Sequence, residues 1–194
     1  MCIRDRFLAR TAFIEAVVGS VLFIGGWAAL RMLAFPLFLL CFMVPIPAVL
    51  YNQITFPLQL FASHVAAGVL EIIGIPVLRD GNVLELPNQK LSVVEACSGI
   101  RSLLSLSFLS LVYGFFFEDR AWIRAALLVL TVPIAIVANA GRVTLAGILS
   151  EYNPDLAHGF MHTAQGWVIF MVALVALVLA HKLLGTVAKA AHAR

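Results

Sequence analysis

Residues 167–184 read WVIFMVALVALVLAHKLL, an apolar run that only His181 and Lys182 interrupt, close to its end. A helix needs roughly 20 residues to cross a hydrocarbon core of about 30 Å. The stretch approaches this length, and Trp167 at its start is a residue type enriched where helices enter the membrane interface. It therefore predicts a membrane-spanning α-helix, and lipid becomes the expected solvent for much of the chain.

The composition of the whole chain agrees with lipid as its main solvent. The 194 residues are 62% hydrophobic and 12% charged, with a mean hydropathy of +1.02, whereas about a quarter of a soluble domain is charged. The net charge of +3 is small and scattered, which excludes nucleic acid as the main partner, because such proteins cluster basic residues on one face. The three cysteines have no C-x-x-C spacing, which argues against a disulfide-stapled domain and a Cys-type zinc site.

Five apolar segments are long enough, or nearly long enough, to cross a bilayer as helices. The first contains Glu15, and the second ends at the helix-breaking residues Pro45 and Pro47. Since lipid cannot satisfy an irregular backbone, such segments are expected to be helical. The sequence predicts an all-α polytopic membrane protein with about five transmembrane helices, at residues 12–30, 32–44, 100–117, 121–137 and 167–184.

The longest stretch between predicted spans, residues 51–96, has a different pattern. From 51 to 73 apolar residues recur every three or four positions, which predicts an amphipathic or re-entrant helix near the outer interface, with His64 and Glu71 on its solvated face. Asp80-Gly81-Asn82 then separates two strand-like runs, and Asp-Gly is a strong hairpin signal. We expect a single membrane domain, 1–194, with an extracytoplasmic insertion at 51–96 that contains an interfacial helix and a small β-hairpin.

Basic residues in short loops predict the orientation of the spans. Arg120 and Arg124 follow the third span, and the tail after residue 184 is also basic. Two crossings separate these places, so both can lie in the cytoplasm, which puts the polar ends of the third, fourth and fifth spans outside. The basic residues at the N-terminus oppose this assignment, and we therefore expect a truncated or altered start. The opposing residues are Arg4, Arg6 and Arg10.

Cys97 is the first polar candidate, at the outer end of the third span. A cysteine at a helix N-terminus has its thiolate favoured by free backbone N–H groups and by the helix dipole. Arg101, four residues further on, would share its helical face and add to that field. The alternative is that Cys97 is a small buried hydrophobe, as free cysteine often is. Spacing alone leaves both interpretations open.

Arg142 and Asn139 are the next candidates, at the end of the fourth span. An arginine inside or at the edge of a membrane is costly and is a functional candidate by default. Its alternative is an arginine that extends to the lipid headgroups from the helix end. Asn139 has two interpretations of its own, a hydrogen bond between helices or a role in a site.

His158 and His162 lie four residues apart at the outer entry to the fifth span. Such a pair can bind zinc, but Asp155 and Glu151 are the only candidates for further ligands, and neither has convincing spacing. We therefore predict no metal and no cofactor. Either histidine can also be a bystander at the membrane interface, so the pair alone does not assign a function.

These candidates fall on one side of the predicted membrane. Cysteine, arginine and histidine supply a nucleophile, an anion stabiliser and a general base. The segments VEACSGIRSL at 94–103, NAGR at 139–142 and HTAQGW at 162–167 occur in this order on a polytopic chain. Together they resemble the exosortase/archaeosortase family. Residues 35–47, 54–59 and 81–87 also fit, so the resemblance covers about 30–184.

The resemblance implies a membrane-embedded cysteine peptidase or transpeptidase of the bacterial inner membrane, with its site on the periplasmic face. Its protein partners would be exported proteins that end in a short motif (PEP-CTERM-like), a hydrophobic helix and a basic tail. Relatives often lie beside exopolysaccharide genes and have more spans upstream, which again predicts a missing N-terminal portion. Cys97, Arg142 and His162 would be catalytic, and histidine in the third place favours the bacterial exosortase branch. Residues expected to bind substrate or support the site are Glu95, Ser98, Arg101 and Asn139.

The predicted chemistry is acyl transfer through a Cys97 thioester, which either water or an amine acceptor resolves. Two alternatives belong to other functional classes. A small transporter would use Arg142 and the histidines in a substrate or proton path, and it would be expected to contain paired repeats, of which the sequence has none. A non-enzymatic scaffold for polysaccharide export would need none of the three residues.

Overall fold

The computed structural model describes residues 3–87, 90–93, 100–152 and 159–192, and most of them are helical. Lipid offers no backbone partners, so hydrogen bonds within each apolar segment favour helix. The third predicted span coincides with a helix, whereas the helices at the fourth and fifth spans extend beyond the predicted ends. The helices are α1 (Ile3–Met32), α2 (Ala34–Leu39) with a 3-10 turn (Leu40–Met43), α3 (Ala48–Ile73), α4 (Ile100–Phe117), α5 (Ala121–Tyr152) and α6 (Gly159–His192).

Within the described residues, four helices are long and apolar enough to cross a membrane, namely α1, α3, α5 and α6. The second predicted span is the short α2 with its 3-10 turn, and α4 is also a shorter apolar helix. The prediction of an all-α polytopic membrane protein is confirmed. One difference is that α3, expected at the interface, has the length and hydropathy of a span.

The chain divides into two compact units, residues 1–52 and 53–194. In the first unit, α1 bends at Gly26, whose φ of 64° is a left-handed conformation that glycine adopts without a Cβ clash. Arg10 Nη1 donates a hydrogen bond of 2.6 Å to the carbonyl of Met43. This contact ties the N-terminal half of α1 to the end of the 3-10 turn.

The second unit contains a three-stranded antiparallel sheet in the order β1-β2-β3. Gly81, with φ of 60°, forms the turn of the β1–β2 hairpin, as the Asp-Gly signal predicted. Ser63 Oγ on α3 donates to the Gly81 carbonyl at 2.9 Å. Ser63 and Gln59 are buried, whereas His64 and Glu71 on the same helix are exposed. The strands are β1 (Leu78–Asp80), β2 (Val83–Glu85) and β3 (Lys90–Ser92).

Two apolar cores hold the second unit together. The first joins α3, the sheet and the C-terminal half of α5, and it includes the fully buried Leu70, Leu84 and Val143. The second joins α4, α5 and α6 around Leu106 and Leu177. The second core holds α4, α5 and α6 together, and these helices contain the predicted site residues Arg101, Asn139, Arg142 and His162.

A hydrogen-bonded chain ties the turn between α4 and α5 to α6. His181 Nδ1 lies 2.9 Å from the Tyr113 hydroxyl, and its Nε2 lies 3.1 Å from Glu118 Oε2. The backbone N–H of Arg120 also donates to the Glu118 carboxylate, at 3.0 Å. These donors, the Arg120 N–H first and His181 second, hold the pKa of Glu118 below its ordinary value. His181, which interrupts the apolar run in the sequence, therefore has partners in the fold.

We expect Glu118→Gln to destabilise the protein at neutral pH by about 1–2 kcal/mol, because it removes the charged acceptor of two hydrogen bonds. A carboxyl whose folded pKa is depressed stabilises fully above its unfolded pKa of about 4.3, and this contribution is lost as pH falls through the folded pKa. The Tm difference between wild type and variant in detergent should therefore shrink from about pH 7 to about pH 3. Asp119→Asn, at an exposed neighbour, is the control. An equal Tm difference at both pH values would contradict the assignment.

Candidate functional site

A cleft of about 410 Å³ lies where α4, α5 and α6 meet. α4 contributes Arg101, Ser102 and Ser105, α5 contributes Arg142, and α6 contributes Gly166 with its two aromatic neighbours. Three helices held by one apolar core thus place two guanidinium groups on the walls of one cleft. The lining residues are Arg101, Ser102, Ser105, Arg142, Gly166, Trp167 and Phe170.

The polar wall of the cleft comes from the first turns of α4. Arg101 and Ser105 are four residues apart, so they share a face of the helix, and Ser102 lies beside them. Arg101 and Ser105 are exposed and Ser102 is half-buried. Ser102 and Ser105 are not among the residues that the sequence singled out. The helical spacing from Arg101 was the signal that could have indicated Ser105.

Arg142 lies within α5, which continues to Tyr152. The sequence placed it at the end of a span, where an arginine can extend to the headgroups. It is half-buried and faces α6 instead. A Cβ built on Gly166 would lie only 3.0 Å from Nη2 and 3.1 Å from Cζ of Arg142. The guanidinium therefore occupies the space that any larger residue at position 166 would need.

Gly166 is a contact residue that sequence reasoning did not assign to the site. Glycine is frequent in transmembrane helices where two helices approach closely, and Gly166 lies one turn after His162 on α6. That spacing was the available signal. It became informative only when the structure brought Arg142 against the glycine backbone.

Asn139 precedes Arg142 by three residues on α5 and is 5% exposed. It lines a narrow pocket that shares Ser102, Arg142 and Gly166 with the cleft. Its Oδ1 atom is buried and has no hydrogen-bond partner among the described residues. Leaving a buried acceptor unsatisfied costs about 1–3 kcal/mol. Asn139 thus carries a buried hydrogen-bond acceptor and lines the same narrow pocket as Arg142.

The structure describes the other predicted site residues only in part. Cys97, Glu95 and Ser98 lie outside the described residues, four, six and three positions before Arg101. Residue 162 lies near the start of α6, one turn before Gly166, and the backbone alone is described there. The structure thus brings Arg101, Arg142 and Asn139 together, and the participation of Cys97 and His162 stays a prediction.

The cleft has a strongly cationic lining. Among its described lining residues two are arginines and none is acidic. An arginine always carries its charge and presents several donors in a planar fork, so the cleft favours an anion or a carbonyl oxygen that gains negative charge. Within the part of the chain that the structure describes, no group of three His, Cys, Asp or Glu residues could hold a metal. His158 and Asp155, from the zinc alternative, lie outside that part.

The comparison with known families returns the family that the sequence resembles. The family model described as transmembrane exosortase matches residues 3–179. No curated protein and no solved structure matches the chain. The family match includes α1 to α5, the sheet and the first half of α6, and thus every residue that lines the cleft. Because the match covers most of the sequence, this multi-pass membrane protein belongs to the transmembrane exosortase family.

Proposed function

We propose that the protein is a membrane-embedded cysteine transpeptidase or peptidase that cleaves the C-terminal sorting signals of exported proteins. The observation that supports this most is the Arg142 guanidinium in a cleft formed with the early turns of α4 and α6. Cys97 precedes the first of these helices and His162 belongs to the second. The side chain of Arg142 thus lines one cleft with the helix that follows Cys97 in the sequence and with the helix that contains position 162.

The reaction would be acyl transfer. The Cys97 thiolate attacks the scissile carbonyl and a C–S bond forms, while the carbonyl oxygen takes up negative charge that Arg142 stabilises. His162 accepts the thiol proton and returns it to the leaving amine as the C–N bond breaks. The product is a thioester, which water or an amine then resolves. The Arg142 side chain already lines the cleft, which supports this role.

The surroundings of the cleft support a substrate that carries a hydrophobic helix. The three helices around it are apolar, so a substrate that carries its own hydrophobic helix can bring a nearby peptide bond to the level of Arg142. We propose PEP-CTERM-like signals, with motif, hydrophobic helix and basic tail. The site would face the periplasm of a bacterial inner membrane.

The test applies a charged, membrane-impermeant thiol reagent to intact spheroplasts that co-express a signal-bearing reporter. Cys2→Ser and Cys41→Ser leave Cys97 as the sole thiol. We expect labelling of Cys97 and a block of reporter processing. In a background without native thiols, Asp80→Cys should label from outside and Asp119→Cys should not. Complete processing after full labelling of Cys97 would reject the proposal, and outside labelling of Asp119→Cys would invert the topology.

A second prediction concerns the contact between Arg142 and α6. Gly166→Ala adds a methyl group where the Arg142 guanidinium lies, so the guanidinium must move. Contacts of 3.0–3.3 Å require a shift of only a few tenths of an ångström. Since a displacement of about 1 Å at a reacting group can cost about 10²-fold in rate, we expect cleavage to slow by up to about 10-fold. Gly185→Ala on the same helix meets nothing within 4 Å and is the matched control. The measurement is the rate of reporter cleavage at equal amounts of folded protein; wild-type activity of Gly166→Ala would contradict the role of this contact.

A further inference from the structure

Asn139 and the narrow pocket beside it suggest a feature that the acyl-transfer scheme does not use. The side chain is 5% exposed, and its Oδ1 has no partner among the described residues. Buried acceptors in folded proteins are nearly always satisfied by protein or by ordered water. Some donor other than the described protein groups must therefore satisfy this oxygen.

The size of the narrow pocket limits which hydrogen-bond donor can reach Asn139 Oδ1. Its volume is about 10 Å³, which is about the smallest space that holds one water molecule. A peptide group or a lipid headgroup does not fit such a space. Three polar side chains, Asn139, Ser102 and Arg142, line it, and a buried water typically makes about three hydrogen bonds.

We infer that this pocket holds one ordered water, which donates to Asn139 Oδ1 and accepts from the Arg142 guanidinium. Asn139 is then a positioning residue that acts on Arg142 through the water. Asn139 lines the narrow pocket but not the cleft, so the water contacts Arg142 without occupying the space for substrate. With Gly166 against Nη2 and Cζ, the guanidinium is then held by α6 and by its own helix. The catalytic part of this inference rests on the proposed function.

Two substitutions separate a water-mediated role from simple packing. Asn139→Leu keeps the branched shape of the side chain but is larger and has no acceptor, so it should expel the water. It should cost little stability, because the polar group and the water that satisfies it are removed together. Asn139→Ala leaves a cavity, which lowers stability, yet it leaves room for a second water that replaces the amide. The water-mediated role predicts that Leu is the more stable variant and Ala the more active one. Packing alone predicts that the more stable variant is also the more active.

The kinetic arm uses the purified full chain in detergent and a reporter that ends in a PEP-CTERM-like signal. We expect Asn139→Leu to lower kcat by about 10- to 10²-fold, the value of a hydrogen bond to a charged group, with KM nearly unchanged. Asn139→Ala should lose less. A rise in KM at constant kcat in Asn139→Leu would mean that Asn139 contacts the substrate directly, which would overturn the water assignment. A lower activity of Asn139→Ala than of Asn139→Leu would also overturn the water assignment.

The spectroscopic arm does not depend on cleavage. In ¹⁵N-arginine NMR of the full chain, Arg142→Gln identifies the guanidinium signals by their loss. We expect magnetisation transfer from a long-lived water to an N–H of Arg142 in wild type, and its absence in Asn139→Leu. Identical transfer in both would overturn the inference. If the transfer behaves as expected but wild type does not cleave the reporter, the proposed function fails and the water site stands.

Discussion

Cys97→Ala is expected to abolish cleavage of a signal-bearing exported protein, with a loss of at least about 10⁴-fold, while the protein remains inserted in the membrane. Removing a nucleophile disables the whole catalytic unit, so the loss should approach the limit set by substrate binding alone. The measurement is the ratio of processed to unprocessed reporter in membranes, together with the amount of the enzyme. Full processing by Cys97→Ala would end the assignment of the nucleophile.

Cys97→Ser tests whether the nucleophile must be a thiolate. A serine hydroxyl nearly preserves the size and position of the attacking atom, but it is a much weaker nucleophile at neutral pH than a thiolate. We therefore expect Cys97→Ser to be almost as inactive as Cys97→Ala. Cys41→Ser is the matched control, because Cys41 lies in the 3-10 turn, is exposed and belongs to the other compact unit. Loss of processing in Cys41→Ser would point to a general effect of thiol removal.

The sequence predicted the architecture correctly where a local pattern, such as an apolar run or a turn dipeptide, determines the structure. The third span has the predicted bounds, Ile100–Phe117, and the Asp-Gly turn forms the predicted hairpin. The fourth span was predicted to end at residue 137, whereas α5 continues to Tyr152. Asn139 and Arg142 suggested an end because they are polar. In the structure Asn139 is buried and Arg142 contacts α6, so other parts of the protein cover the polar face of this part of the helix.

The interpretation of α3 shows a related limit. Its polar residues suggested one solvated face, and His64 and Glu71 are indeed exposed. Gln59 and Ser63, however, are buried, and Ser63 bonds to the hairpin turn. Periodicity reports which residues share a helix face, but it does not say whether water or another protein segment covers that face.

The sequence could predict only those residues of the candidate site that belong to its motifs. The sequence singled out Arg101, Asn139 and Arg142, and the structure places them around one cleft and its adjoining pocket. The role of Gly166 was not predictable, because it depends on how closely α5 and α6 approach each other. Such a distance is a property of packed helices, and a single sequence does not contain it.

His162→Ala is expected to slow cleavage by about 10²- to 10⁴-fold, the usual loss when a general base is removed. His158→Ala should retain most of the activity. The two histidines are four residues apart, so helical spacing alone does not choose between them. Position 162 lies inside α6, one turn before the Gly166 that contacts Arg142, which favours His162; position 158 lies outside the described residues. His162 also occupies the position that the resemblance to exosortases assigns.

The same pair of variants tests the zinc alternative. The comparison measures cleavage by both variants with and without added zinc, and after treatment of wild type with a chelator. A general base predicts a large loss in His162→Ala alone and no response to zinc, because the proton transfer needs one histidine and no metal. Equal losses in both variants, together with a response of either one to zinc, would replace the acid–base role of His162 by a metal pair, since two ligands of one zinc ion contribute jointly.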